Sequence, residues 1–195
     1  MKIRDLFEER VFTISNFLTV LRITVIPFIL YHFFAESATG RDEHRKFQLI
    51  FFSVIVATDF FDGFIARTFN QVSNLGQFLD PLSDKICLLS IGGALVYFKG
   101  FPCWVFLIAI VRELFVFFVS FFLYSRRGVG VRPNVYGKLG VASMAFSAFL
   151  YIGAYDIRIP GDIHLKNVSI VLILLFYFVG LIIYAKEYSR RFLEK

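Results

Sequence analysis

The chain has 195 residues, of which 57% are hydrophobic and 19% aromatic, and its formal net charge is +6. With a mean hydropathy of +0.69, this composition excludes an ordinary soluble domain and points to an integral membrane protein. The basic residues sit in short connections between apolar runs, where such charge marks the cytoplasmic side and anionic lipid headgroups, so no nucleic acid partner is expected.

The first eleven residues place Ile3, Leu6, Phe7 and Val11 at helical spacing with Lys2, Arg4, Glu8 and Arg10 between them. That pattern predicts a short helix over 1–12 lying in the membrane interface. This start carries acids and lacks a small-residue cleavage site, so no removable signal peptide is expected. Crossing a hydrocarbon core takes roughly 20 residues. Apolar runs of that order follow at about 14–35, 48–67, 81–98, 102–124, 137–156 and 167–185. Backbone polar groups in lipid must be satisfied internally, and the alternation of barrel strands is absent. The expected fold is all-α, one membrane domain over 1–195 built as a bundle of six transmembrane helices. With the amino terminus in the cytoplasm, twelve Lys and Arg residues fall on that side and six on the other, leaving Arg22, Lys85 and Arg112 within spans. The excess predicts both termini inside.

In the first run Asn16, Thr19 and Arg22 are spaced by three and three and share one face. Read alone, they suit either interhelical hydrogen bonds with a snorkelling arginine or the border of a polar site. The second and third runs carry the anomaly: Asp59, Asp62, Asp80 and Asp84 lie inside or at the edge of apolar segments. An ionised acid near the bilayer midplane costs roughly 2.5 to 3.5 kcal/mol, so four of them call for a compensating partner. Asp59 and Asp62 are three apart and Asp80 and Asp84 four apart, so each helix presents a carboxylate pair. Asp80 followed by Pro81 reads as an N-cap and a proline at the first helical position, starting the third helix there. Gly76 would turn the connection from Arg67 to Gln77 tightly before it. Further on, Arg112 and Glu113 stand within the fourth run, and Arg126, Arg127, Arg132 and Lys138 cluster before the fifth. The small residues Gly137, Gly140, Ala142, Ser143, Ala145 and Ala148 suggest a closely packed fifth helix. Cys87 and Cys103, both in apolar surroundings, read as buried hydrophobes with no disulfide or zinc role.

Four neighbouring carboxylates cannot all ionise without cations, because mutual repulsion raises some pKa values. Oxygen ligands without His or Cys nearby point to magnesium, manganese or calcium. Such a site keeps positions open for a phosphorylated substrate, which suggests phosphoryl chemistry. Gly63 beside Asp62 leaves room for a ligand, Ala66 keeps the same wall low, and Arg67 offers a planar fork for phosphate.

Taken together, Asp59, Asp62, Gly63, Ala66, Arg67, Gly76, Asp80 and Asp84 fill every position of a signature resembling that of the CDP-alcohol phosphotransferases. The resemblance implies an enzyme of six transmembrane helices that moves a substituted phosphoryl group from a CDP-linked donor to an alcohol and releases CMP. It also implies a homodimer with a pair of divalent ions, Mg2+ or Mn2+, in each subunit. Carried onto this chain, Asp59, Asp62 and Asp80 would be metal ligands, with Asp84 a metal neighbour and general base. Gly63, Ala66, Arg67 and Gly76 would border the CDP moiety. Asn16, Thr19 and Arg22, followed by Pro27, resemble the opening helix of phosphatidylglycerophosphate synthases, where the polar face borders the nucleotide and metal pocket. Val111-Arg112-Glu113 is similar to the Ala-Arg-Glu of the same synthases.

The resemblance therefore implies transfer from CDP-diacylglycerol to glycerol 3-phosphate in a bacterial cytoplasmic membrane, with the site facing the cytoplasm. Arg22, Arg112, Arg132 and Lys138 are the candidate acceptor-binding residues. Those synthases commonly show Gly-Lys-x-Lys-Thr where this chain has Gly137-Lys138-Leu139-Gly140-Val141. The departure leaves inositol phosphate, serine, choline or phosphatidylglycerol open as acceptors. A cation transporter is the reading from another class, but it predicts acids spread across membrane depth, whereas these gather near one surface beside Arg67.

Overall fold

A computed structural model describes the backbone over 14–69, 74–127, 135–155 and 157–193, and the side chains over 16–61, 82–119, 135–155 and 157–186. Among the described residues there are six helices: α1 (Ile14–Thr39), α2 (Asp42–Phe69), α3 (Asn74–Lys99), α4 (Cys103–Arg127), α5 (Val135–Ile152) and α6 (Leu165–Leu193). Each apolar run of the sequence falls on one of them. The expected interfacial helix over 1–12 lies outside the described residues.

Three helices are apolar enough to cross a membrane over their described residues, at Asn16–Thr39, Val135–Ile152 and Leu165–Lys186. In α2 the charges Asp42, Glu43, Arg45, Lys46 and Asp59, and in α3 Asp84, Lys85 and Lys99, lower the apolar content of otherwise long helices. Large apolar side chains point outward along the helices, among them Phe17, Phe28, Phe34, Phe118 and Phe178. Water would penalise that surface and lipid does not. The chain is a membrane protein.

The start of α3 differs from the expected one. The helix begins at Asn74, so Asp80 is not its cap, Pro81 lies inside it, and Gly76 sits in its first turn and not in a connection. Leu75, Phe78 and Leu79 continue the helical apolar spacing upstream of the proline, and Asn74 and the preceding Ser73 are residue types that favour helix starts. Pro81 has no N–H to donate to the Gln77 carbonyl one turn back in the helix.

The helices form two compact units, one up to Lys99 and one from Gly100 onward. In the first, α1 packs on both α2 and α3, with Ile29, Phe33 and Leu95 fully buried in the core. Gly40 and Gly100, both at φ +67, follow α1 and α3 in the left-handed conformation that glycine adopts without cost. Near the end of α1 one carboxylate ties three helices together. Glu36 Oε2 meets Lys99 Nζ of α3 at 2.5 Å and accepts from Gln48 Nε2 of α2 at 2.7 Å, while Oε1 meets Arg45 Nη2 at 3.0 Å. Gln48 Nε2 also donates to the His32 carbonyl at 2.9 Å, and His32 Nδ1 lies 3.0 Å from His44 Nδ1.

In the second unit α6 packs on α4 and α5, around the fully buried Val105, Ile152 and Ile173. Inside it Ser169 Oγ donates to Ser147 Oγ at 2.9 Å, joining α6 to α5. Between those helices β1 (Arg158–Ile159) pairs antiparallel with β2 (Ile163–His164). Gly161 and Asp162 turn the hairpin at φ 98 and 58, and Arg158 Nη1 donates to Asp162 Oδ1 at 2.9 Å.

Candidate functional site

At the amino-terminal end of α1 the three-residue spacing buries Asn16, Thr19 and Arg22 together, with Arg22 only 2% exposed. A guanidinium so deep requires anionic partners. They come from the two helices packed on α1. Arg22 Nη1 lies 3.0 Å from Asp59 Oδ1 of α2 and donates to Asp84 Oδ1 of α3 at 2.8 Å. The two carboxylates are themselves more than half exposed, at 57% and 60%. A buried cation thus underlies two accessible acids.

The neighbouring hydroxyl is accounted for locally. Thr58 Oγ donates back to the Val54 and Ile55 carbonyls, each at 2.9 Å, so it does not compete for Asp59.

Asp62 and Asp80 lie within α2 and α3, three residues after Asp59 and four before Asp84. Their side chains, with those of Gly63, Ala66, Arg67 and Gly76, fall outside the described set, and Arg132 lies outside the described residues altogether. Among the described residues, no group of three or more His, Cys, Asp or Glu side chains is placed to hold a metal ion. The donor set nevertheless fits a hard cation: acceptor-only oxygens from two helices already converge on a single positive charge.

Of the residues expected to bind an acceptor, Arg22 is brought to Asp59 and Asp84 in the first unit. Arg112 and Lys138 belong to the second. Arg112 Nη1 pairs with Glu113 Oε1, and its guanidinium carbon stands 5.0 Å from the centroid of the Tyr177 ring of α6. Lys138 is exposed in the first turn of α5 beside the buried Gly137. Tyr177 was not singled out by the sequence, where it is one aromatic residue within a long apolar run. The sequence signal of the Glu36 cluster is an acid at the edge of the first span.

Residues 12–183 match the family model described as CDP-alcohol phosphatidyltransferase. The chain is 33% identical over 136 residues to the "CDP-diacylglycerol--glycerol-3-phosphate 3-phosphatidyltransferase" of Bacillus subtilis, covering 66% of this chain and 70% of that one. It is 29% identical over 167 residues to the "Probable phosphatidylglycerophosphate synthase" of Mycobacterium tuberculosis, covering 84% and 75%. A "Cardiolipin synthase (CMP-forming)" of Streptomyces coelicolor is 31% identical over 105 residues, covering 54% and 48%. With the match spanning the helices that carry Arg22, Asp59 and Asp84, this transferase belongs to the CDP-alcohol phosphatidyltransferase family.

Proposed function

We propose that the chain transfers the phosphatidyl group of CDP-diacylglycerol to glycerol 3-phosphate, releasing CMP and forming phosphatidylglycerophosphate. The observation that carries this reading is the convergence of Asp59 and Asp84, from two helices, on one cation, in a chain whose family transfers CDP-linked groups. The relatives of Bacillus subtilis and Mycobacterium tuberculosis support the acceptor.

In this reading the acceptor hydroxyl attacks the phosphorus that bears the diacylglycerol. The bond from that phosphorus to the bridging oxygen breaks, the oxygen leaves with CMP, and the hydroxyl proton passes to Asp84. A hydroxyl is too weak an acid to react at neutral pH without such a base. Divalent ions, Mg2+ or Mn2+ and two in number, would be held by Asp59, Asp62, Asp80 and Asp84 and supply charge neutralisation to the pyrophosphate. Arg22 orients Asp59 and Asp84 from below, Asn16 and Thr19 with Gly63, Ala66, Arg67 and Gly76 border the CDP moiety, and Arg112, Arg132 and Lys138 bind acceptor phosphate. A homodimer of six-span subunits, with both termini and the active site on the cytoplasmic side of a bacterial inner membrane, completes the proposal. The excess of basic residues on that side supports the orientation.

The test is CMP release by purified protein in detergent with CDP-diacylglycerol and Mg2+, comparing acceptors. Glycerol 3-phosphate is expected to exceed inositol phosphate and serine at least about tenfold. Release with phosphatidylglycerol instead would favour a second reading, for which the Streptomyces coelicolor relative and Gly140 in the place of a lysine speak. No release with any acceptor, despite donor binding, would sink phosphatidyl transfer.

Arg22 provides a separate check. Arg22→Met removes the counter-charge beneath two acids, and because those acids are half solvated the loss is moderate. The thermal midpoint in EDTA is expected to fall by about 3 to 6 °C for a chain of this size, and saturating Mg2+ to narrow the gap. An unchanged midpoint in EDTA would remove Arg22 from this role.

A further inference from the structure

The second unit holds a contact that the proposed chemistry does not use. Tyr177 of α6 is 3% exposed, and it meets two other helices through one ring. On one helix it meets Arg112 of α4, whose guanidinium stands 5.0 Å from the ring centroid. On the other it meets Gly140 of α5. A Cβ built on Gly140 would come within 2.5 Å of Tyr177 Cε1, closer than unbonded carbons approach. The ring therefore occupies space that only glycine at 140 leaves.

The chemistry of Arg112 gives that contact a consequence. A guanidinium presents five N–H donors in a rigid plane. Glu113 engages Nη1, which partly offsets the charge, so any further anion must be recognised by directed N–H donors more than by net charge. An aromatic ring restrains a guanidinium through its quadrupole and consumes no N–H donor. A hydrogen-bonding partner in the same position would fix Arg112 only by taking donors from the ligand.

We propose that Tyr177, seated against the bare backbone of Gly140, is a positioning residue that holds Arg112 ready for the phosphate of the acceptor alcohol. This rests on the reading that Arg112 binds that phosphate. The chain thus sets acceptor affinity through a ring on α6 and a glycine on α5, neither of which needs to touch the acceptor.

The test uses the full chain in detergent with glycerol 3-phosphate as probe, read both as CMP-release kinetics and as direct binding by calorimetry. Tyr177→Leu is expected to raise the acceptor KM and Kd about tenfold, with kcat and the KM for CDP-diacylglycerol within about twofold of wild type. Tyr177→Phe keeps the ring and restores the acceptor KM. Gly140→Ala, which displaces the ring, shifts the acceptor KM in the same direction as Tyr177→Leu. Arg112→Gln raises it at least as much. If Tyr177→Leu lowers only the melting temperature, or kcat with both KM values unchanged, the ring is structural and the proposal is overturned. If Arg112→Gln leaves acceptor affinity intact while wild type turns over, the role of Arg112 fails and the positioning role with it. A wild type that binds glycerol 3-phosphate, with Kd weakened in Tyr177→Leu, but releases no CMP would sink the transfer reading while upholding the positioning one. A wild type that neither binds nor uses it overturns both.

Discussion

Asp84→Asn is expected to lower CMP release by about a thousandfold or more while leaving the protein folded. General base catalysis contributes roughly a hundredfold to ten-thousandfold, and an amide cannot take the hydroxyl proton. Its oxygen can still accept from Arg22 Nη1, which donates to Asp84 at 2.8 Å, so the buried guanidinium keeps a partner on α3. The thermal midpoint is expected within a few degrees of wild type, which separates lost chemistry from lost structure. Retention of a tenth of wild-type turnover would remove Asp84 from the role of base. Asp59→Asn is expected to weaken divalent-ion binding as well, seen as a raised Mg2+ requirement.

The second large effect is on stability and lies at the other end of α1. Glu36→Leu is expected to destabilise the protein by about 3 kcal/mol, the lower end of the range for removing one partner of a buried ion pair, because Glu36 and Lys99 are only partly buried. The loss leaves Lys99, only 9% exposed, without its counter-charge, and frees the Arg45 and Gln48 contacts. Lys99→Met costs less, because Glu36 keeps Arg45 and Gln48. Adding Lys99→Met to Glu36→Leu is expected to recover part of the loss, since an apolar pair is tolerated where a lone ammonium is not. Unfolding of the detergent-purified variants measures this. Equal stability of Glu36→Leu and wild type would show that the cluster contributes nothing.

Much of this architecture was legible from local pattern. Helical periodicity and length located all six helices, and the spacing of Asn16, Thr19 and Arg22 indicated a shared face, which the structure buries. The aspartate signature pointed to α2 and α3 as the helices that matter, and Arg22 joins Asp59 and Asp84 there. The start of α3 is obscured in the sequence because Asp80-Pro81 is a strong local signal, stronger than the apolar spacing of Leu75, Phe78 and Leu79 that extends the helix. The hairpin at 158–164 had its signal in Pro160-Gly161-Asp162 between short apolar residues, but two-residue strands are below the length at which alternation is convincing. Partner identity was not legible. Periodicity says which residues share a face and not what meets that face, so the pairings of Glu36 with Lys99 and of Tyr177 with Arg112 emerge only when helices distant in sequence are packed.

The ion pairs of α1 also bear on how the protein is made. Its two ion-paired charges, Arg22 and Glu36, wait for partners that are synthesised later. Arg22 lies 62 residues before Asp84, and Glu36 lies 63 before Lys99, the last residue of α3. At about 5 to 20 residues per second, that is roughly 3 to 13 s of translation. During this interval α1 depends on its apolar length to be held in the membrane, and on α2 for Asp59, Arg45 and Gln48. Order of synthesis therefore becomes order of charge matching. Within the first unit, α1 has its charges fully matched only once α3 is complete.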